Sequence, residues 1–294
     1  VHAAYESGQR TAGMVLNHSL HAVAIIGAGM SGLSAAQRLS RQGRDVTVFE
    51  ARDRIGGRIW TNNRLGMPLD LGASWIHGTT GNPLTELADS IDLKRVETEY
   101  SFITRGRNGR LIAEHDLPVW VGDVAEVQHT AGADRDQINN MAYLFADDYV
   151  GPEVIFPNGY KDIYEALEGR YEVNLSSLVD HISYDQNGVT LNVQNAGPQS
   201  FDAVIVTVPL GVLKKDIIKF DPPLPKHKSN AIRNLGMGTL DKVYLLFEKT
   251  FWDPDATWFL TPENDLPQGQ FNQWLNVYKF TGRPVILGFN GGPP

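Results

Sequence analysis

Gly27, Gly29 and Gly32 stand in the pattern G-x-G-x-x-G, and Glu50 follows 23 residues after the first of them. These residue types at this spacing can hold a dinucleotide. The first glycine permits a tight turn, the second lets the backbone approach a pyrophosphate, and the third allows a helix and a strand to pack closely. A carboxylate where Glu50 stands accepts hydrogen bonds from a ribose hydroxyl. The chain then reads ARDRIGGRIWT, with Gly56 and Gly57 between Arg54 and Arg58, and Arg52 two residues before Arg54. Backbone and guanidinium groups there can reach a pyrophosphate from the opposite side. A basic surface turn explains the same residues equally well. A second constellation is LDLGASWIHG, residues 69–78, where Trp75 and His77 sit between glycines at the end of an apolar run. Taken singly, His77 reads as a hydrogen-bonded loop histidine. Lys242, at the start of KVYLLFE, reads as a solvated strand-edge charge.

Elements that would position these residues are legible nearby. AVAII at 22–26 is a short apolar strand that runs straight into GAGMSG. LSAAQRLSRQG follows with helical spacing and a stop at Gly43, and DVTVFE reads as a second strand. The result is a β-α-β unit of about 30 residues, the minimum for a parallel crossover. Residues 84–100 are expected to be helical and partly exposed, and DQINNMAYLFADDYV is a further helix candidate. Beyond FPNGYK come a helix at IYEALEG and strands at VNLSSLVDHISYD and VTLNVQ. Asn187-Gly188 between the last two is a strong hairpin signal. FDAVIVTVPL is a buried strand ending at Pro209, after which AIRNLG and KVYLLFE supply a helix and a strand. A β-α-β start followed by strand-rich and helix-rich blocks favours an α/β architecture with an inserted second domain.

Composition narrows the function classes. The chain has 294 residues, 42% of them hydrophobic, which is enough for a large core and favours two domains. A net charge of −8 argues against a nucleic-acid-binding surface and suits a cationic ligand. With no cysteine, disulfides and thiolate metal sites are excluded, and no metal site is expected. No apolar run approaches the roughly 20 residues of a membrane span. Residues 1–20 lack the basic start, apolar block and cleavage site of a signal peptide. Because the chain starts with Val, the expectation is that something was removed or that this is not a complete gene product. The sequence is silent on compartment, and a soluble, cytoplasmic protein is the expectation it leaves.

At VAIIGAGMSGLSAAQRLSRQGRDVTVFEARDRIGGRIWT the chain resembles the FAD-binding start of the flavin-containing amine oxidases, the family of monoamine and polyamine oxidases. LDLGASWIHG, VIVTVPLGVLK and LGMGTLDKVYLLFEKTFW follow in the order that family shows, so the resemblance covers most of the chain from about residue 22 to 260. GASWIHG followed by GNPL looks most like the polyamine oxidase branch. The resemblance implies a Rossmann-type FAD-binding domain, discontinuous over 20–84 and 156–218, interleaved with an α+β substrate domain over 85–155 and 219–294. Gly27, Gly29, Gly32, Glu50, Arg52, Gly57 and Arg58 then become cofactor-binding residues. Gly72, Ala73, Ser74 and Trp75 form the loop beside the isoalloxazine ring, and the backbone of Val179 meets the adenine. A small-residue backbone can indeed lie against a flat heterocycle. Lys242 is expected under the flavin, holding a water against the hydride-accepting nitrogen, with its pKa depressed by burial. His77 is expected to face the substrate channel and help orient the amine. The implied reaction is oxidation of an amine, in particular a polyamine, to an imine. Hydride passes to FAD, and O2 reoxidises the flavin to give hydrogen peroxide.

The chain departs from the family pattern in two places. It stops at VILGFNGGPP, before the family's closing segment with its Gly-Glu motif, flavin-directed helix and substrate-sandwiching aromatics. The stretch between GASWIHG and FPNGY is also shorter than the family's. The expectations that follow are a C-terminally truncated fold and a second polypeptide that completes the site. The alternatives are a catalytically silent FAD-binding relative, a rearranged compact fold, or another flavoenzyme of the amino-acid oxidase kind.

Overall fold

The structure is a computed structural model and describes residues 1–139, 149–267 and 269–292. In chain order it begins with helix α1 (His2–Leu16), strand β1 (Ala22–Ile26), helix α2 (Met30–Arg41) and strand β2 (Asp45–Phe49). Short strands β3 (Thr61–Asn62), β4 (Leu69–Asp70) and β5 (Trp75–Ile76) lead to helix α3 (Pro83–Ser90). Then come β6 (Val96–Glu97), β7 (Phe102–Thr104), β8 (Val154–Ile155), β9 (Glu172–Asn174), β10 (Val179–Asp185), β11 (Gly188–Val193), β12 (Gly197–Phe201) and β13 (Ala203–Val206). Helix α4 (Leu210–Lys214), strand β14 (Lys219–Asp221), helix α5 (Lys226–Asn234) and strands β15 (Leu240–Leu246), β16 (Trp258–Leu260), β17 (Gln270–Asn276) and β18 (Val285–Gly291) follow, and short helical turns lie at Glu114–Asp116, Trp120–Asp123, Val124–Gln128, His129–Ala131, Arg135–Gln137, Asp162–Glu165 and Tyr278–Thr281.

β1 and β2 are parallel centre strands of a sheet ordered β13-β1-β2-β9. Their apolar runs suit a sheet covered on both faces. Period-two alternation divides β1 between two cores. Val23 and Ile25 join α2 residues Leu33, Ala36 and Leu39, whereas Ala24 and Ile26 join Phe49, Val179, Ile182 and Leu191. The second core is shared with a sheet ordered β12-β11-β10-β14. Its expected hairpin forms at Asn187-Gly188, where the Asp185 carboxylate accepts from the Asn187 N–H at 2.7 Å. A third sheet, ordered β15-β18-β17-β16-β7, buries Trp258, Leu275, Leu287 and Phe289 with Met67 and Leu69.

The segment before β1 is a 15-residue helix laid along α2. Gly8 makes the approach possible, since a Cβ there would lie 2.1 Å from the Ser31 carbonyl oxygen. The Ser34 hydroxyl donates to the Tyr5 carbonyl at 2.9 Å, and Arg38 donates to the Gln9 carbonyl at 2.6 Å. With the sheet on one side and α1 on another, α2 is buried at eight of its twelve positions.

Three expected elements differ. The helix expected over 84–100 stops at Ser90. Asn82 caps its start by accepting from the Leu84 N–H, and Pro83 sits in its first turn, but Asp92 takes φ 51° and Val96–Glu97 pairs with β8 instead. VNLSSLVDHISYD splits into β9 and β10 around Ser176, at φ 52°. IYEALEG is α-helical only through Glu165. Most of DQINNMAYLFADDYV lies outside the described residues. Among the described residues no helix is long and apolar enough to cross a membrane.

Candidate functional site

The glycine pattern sits where β1 turns into α2. Gly27 has φ 104° and donates its N–H to the Phe49 carbonyl at 2.8 Å. A Cβ on Gly32 would lie 1.9 Å from the Gly27 carbonyl oxygen, so only glycine lets the first turn of α2 meet the end of β1. The second glycine pair lies against the first. Gly29 bridges to Gly56, the Gly56 N–H donates to the Ala28 carbonyl at 2.8 Å, and a Cβ on Gly57 would lie 3.1 Å from the Gly29 Cα. Two backbone loops therefore face each other at the positive end of α2, with the exposed Arg52 and Arg58 flanking the seam. Arg54 does not reach out. Its guanidinium donates to the Gly57 carbonyl at 3.0 Å and covers the Trp60 ring at 4.8 Å.

Glu50 is buried at 9% exposure, and both of its oxygens are engaged. One accepts from the Ala28 N–H at 2.8 Å and the other from the Arg52 N–H at 2.9 Å. A carboxylate offers about four lone-pair sites, so each oxygen retains one for a ribose hydroxyl. Thr207, just beyond β13, closes the back of the turn with its hydroxyl on the Ile26 carbonyl at 2.9 Å. Val179 is 2% exposed beneath β1 and β2, at the start of β10.

Lys242 is not a solvated edge charge. From β15 its Nζ donates to the Gly72 carbonyl at 2.5 Å, the Ser74 hydroxyl at 2.5 Å and the Asp70 carbonyl at 3.3 Å, across about 170 residues of sequence. Three acceptors thus meet the three donors of an ammonium. The charge also lies 5.4 Å from the centre of the Trp75 ring and 6.0 Å from that of Phe289. Burial pulls the Lys242 pKa down to about 8, while the Asp70 carboxylate works against the fall. Asp70 is itself raised by burial and held back by the Thr61 hydroxyl, the Tyr160 N–H and Lys242. Tyr244 donates its hydroxyl to the Asp70 carbonyl at 2.9 Å.

The loop that Lys242 clamps is packed along the Arg58–Trp60 segment. The Leu71 N–H donates to the Trp60 carbonyl, and the Ala73 N–H donates to the Arg58 carbonyl at 3.0 Å. A Cβ on Gly72 would lie 1.9 Å from that Arg58 oxygen. Gly72, Ala73, Ser74, Trp75 and Lys242 are therefore brought together and joined through Arg58 to the glycine seam. His77 lies two residues further on, with an exposed side chain whose Nδ1 is 2.5 Å from the Glu153 carboxylate. Asp70, Tyr244, Thr207 and α1 escaped the sequence reading. Two of them left a signal: Asp70 lies inside LDLGASWIHG, and Tyr244 is two positions from Lys242, on the same strand face.

A parallel sheet with paired glycine loops at one end and a buried lysine clamping a third loop defines a dinucleotide-binding α/β protein. A model of the flavin containing amine oxidoreductases matches residues 30–140 and 139–293, and the chain belongs to that family. Polyamine oxidase 4 of Oryza sativa subsp. japonica is 31% identical over 327 residues, covering 90% of this chain and 66% of its own length. Probable polyamine oxidase 4 of Arabidopsis thaliana is 28% identical over 339 residues, covering 92% of this chain and 66% of its own length. The chain thus spans just under two thirds of the length of these relatives. A putrescine oxidase variant redesigned in cofactor binding shares the fold, with a TM-score of 0.67 at 21% identity over 92% of this chain and 75% of that one.

The cofactor is FAD, and the residues present fit it. The seam has no side chain between the two glycine loops, Glu50 keeps free lone pairs, and the Gly72–Trp75 loop is held flat by backbone hydrogen bonds. Arg52 and Arg58 would hold the phosphates, Glu50 the ribose, and the Gly72–Trp75 loop with Lys242 the redox-active ring.

Proposed function

We propose that the chain carries out FAD-dependent oxidation of an amine, by preference a polyamine, in a site centred on Lys242 and the Gly72–Trp75 loop. The reading is carried by the clamp on Lys242, a buried ammonium with all three donors used beside a glycine-rich backbone. Bound FAD would supply the hydride acceptor for the carbon next to a neutral amine nitrogen and the route of the electrons to O2, with hydrogen peroxide as the product. The protein's part is positional and electrostatic. With a pKa of about 8, Lys242 can hold or release a proton at Nζ near neutral pH, which suits an assisting role in the oxygen half-reaction. Asp70 and Tyr244 keep the clamp in place. His77, on the open side of Trp75, orients the amine.

The test is the visible spectrum of the protein purified without added flavin, followed by anaerobic mixing with a polyamine, a monoamine and an amino acid. An oxidised flavin spectrum bleached by the polyamine is expected. Bleaching by the amino acid alone would move the protein to the amino-acid oxidase class. A protein that stays colourless after FAD is added would end the oxidase reading for this chain alone.

A second polypeptide completing the site has support of its own. Leu235, Met237, Leu240, Leu246 and Phe251 are all exposed, between 41% and 72%, from the end of α5 through β15 to the turn beyond it. An apolar run of that kind on an edge strand suits burial against further chain. Sedimentation with and without a candidate partner reads it directly.

A further inference from the structure

Beyond the flavin side of Trp75 lies a face that no established role covers. β5, β8 and β6 form a three-stranded sheet in register Trp75↔Ile155↔Val96 and Ile76↔Val154↔Glu97. Extending that register by one residue sets His77, Glu153 and Thr98 side by side. The contacts bear this out. His77 Nδ1 is 2.5 Å from Glu153, the Thr98 N–H donates to the Glu153 carbonyl at 2.8 Å, and the Trp75 indole N–H donates to the Thr98 hydroxyl at 3.0 Å. The Glu153 side chain is 20% exposed, so its carboxylate is anchored yet reachable.

Flat rings extend from this carboxylate. Trp75 stacks on His77 at 6.3 Å and 19°, and on Trp258 at 6.0 Å and 16°. Trp258 stacks on Tyr100 at 6.5 Å and 4°. Tyr100 is 65% exposed, a large aromatic left open beside an anchored carboxylate. Tyr100 follows Thr98, the hydrogen-bond partner of Glu153, by two residues, and partial burial and the Glu153 charge both raise its phenol. An anchored carboxylate with aromatic faces is complementary to an organic cation on a methylene chain. Lys242 lies against the same Trp75 ring, so the reacting end and this face are separated by one indole and one imidazole.

We infer that Glu153 is a specificity-determining residue that takes the distal ammonium of a diamine or polyamine, with Tyr100 covering the methylene chain. The inference rests on the amine-oxidase reading of the neighbouring site. The test is calorimetric binding of an α,ω-diaminoalkane and of the n-alkylamine with the same carbon count. The unaltered protein should bind the diamine about tenfold more tightly. Glu153→Gln should bring the diamine to the affinity of the monoamine, whereas Tyr100→Ala should weaken both alike. If Glu153→Gln does not fold, Glu153→Asp, which draws the carboxylate back by one methylene, should narrow the gap between the same two affinities. Equal affinities in the unaltered protein, no binding of either amine, or a ratio unmoved by these variants would each overturn the inference. Flavin bleaching with equal affinities sinks the role of Glu153 and keeps the oxidase. A tenfold ratio without bleaching does the reverse.

Discussion

The glycine seam and the lysine clamp solve the same problem with opposite materials. The seam is built from backbone: Gly27, Gly29 and Gly32 meet Gly56 and Gly57 with almost no side chain between them. The clamp is built by a side chain that crosses from β15 to a loop about 170 residues earlier. A backbone site is defined by what is missing, so its sensitivity lies in added atoms. A side-chain site is defined by what is present, so its sensitivity lies in removed or neutralised atoms. Variants of the two regions should therefore fail in different ways.

The largest effect is expected at the seam. Gly32→Ala puts a methyl 1.9 Å from the Gly27 carbonyl oxygen, and backbone on both sides must shift. A loss of about 3 kcal/mol or more of stability is expected in denaturant melts. Gly29→Ala sharpens the contrast. Its Cβ would have only the Gly57 Cα nearby, at 3.8 Å, so stability should move by no more than about 1 kcal/mol while flavin retention falls. Equal stability losses in the two variants would show that the seam is a packing feature rather than a cradle. Next in size is Glu50→Ala, expected to weaken FAD binding by about 1.5–3 kcal/mol through the lost charge-assisted hydrogen bonds. An FAD titration with unchanged affinity would remove Glu50 from the ribose.

The clamp should fail with pH rather than with bulk. Lys242 has a pKa of about 8 in the folded chain against an ordinary 10.5. Between those values the unfolded chain binds more protons than the folded one, so this group's contribution to stability rises with pH. Below about pH 8 the burial of the ammonium costs its full amount. Relative to Lys242→Met, the unaltered protein should therefore gain about 3 kcal/mol between roughly pH 7 and pH 10.5. Parallel stability curves would mean that the lysine is not buried as a charge. The same variant should slow the oxygen half-reaction and leave FAD bound.

Legibility in the sequence follows the same division. The seam could be read because its parts lie within about 30 residues and glycine spacing has few other uses at a strand-to-helix turn. β1, α2 and β2 were legible for the same reason. The clamp could not be read from spacing, because nothing local distinguishes Lys242 from an edge lysine, and only the family resemblance pointed to it. Tyr244 follows from the strand period once Lys242 is known to face inward, whereas Asp70, on β4, is marked only by its place inside LDLGASWIHG. The shortening of the expected 84–100 helix was not legible, since pairing of Val96–Glu97 with β8 is a tertiary contact that overrides local helical pattern. Helix α1 is not legible because what holds it is its tertiary packing on α2.

The smallest effect tests whether the clamp is a network or a single bond. The Tyr244 hydroxyl donates to the Asp70 carbonyl at 2.9 Å, and the same oxygen receives Lys242 at 3.3 Å. Tyr244→Phe removes one donor and leaves the acceptor with another, so no buried oxygen is orphaned. The ring also stays, packed against the Met67–Phe289 core. A loss of about 0.5–1.5 kcal/mol is expected, the ordinary worth of a hydrogen bond whose acceptor keeps a second partner. With Tyr244 gone, the Asp70 carbonyl keeps Lys242 at 3.3 Å and the Ser74 hydroxyl at 3.4 Å, and the lysine's share is strongest when the amine is charged. The stability lost in Tyr244→Phe should therefore be smaller near pH 7 than near pH 10, where Lys242 has released its proton. A pH-independent loss would mean that the tyrosine and the lysine serve the loop separately, and that the clamp is a sum of local contacts rather than one coupled device.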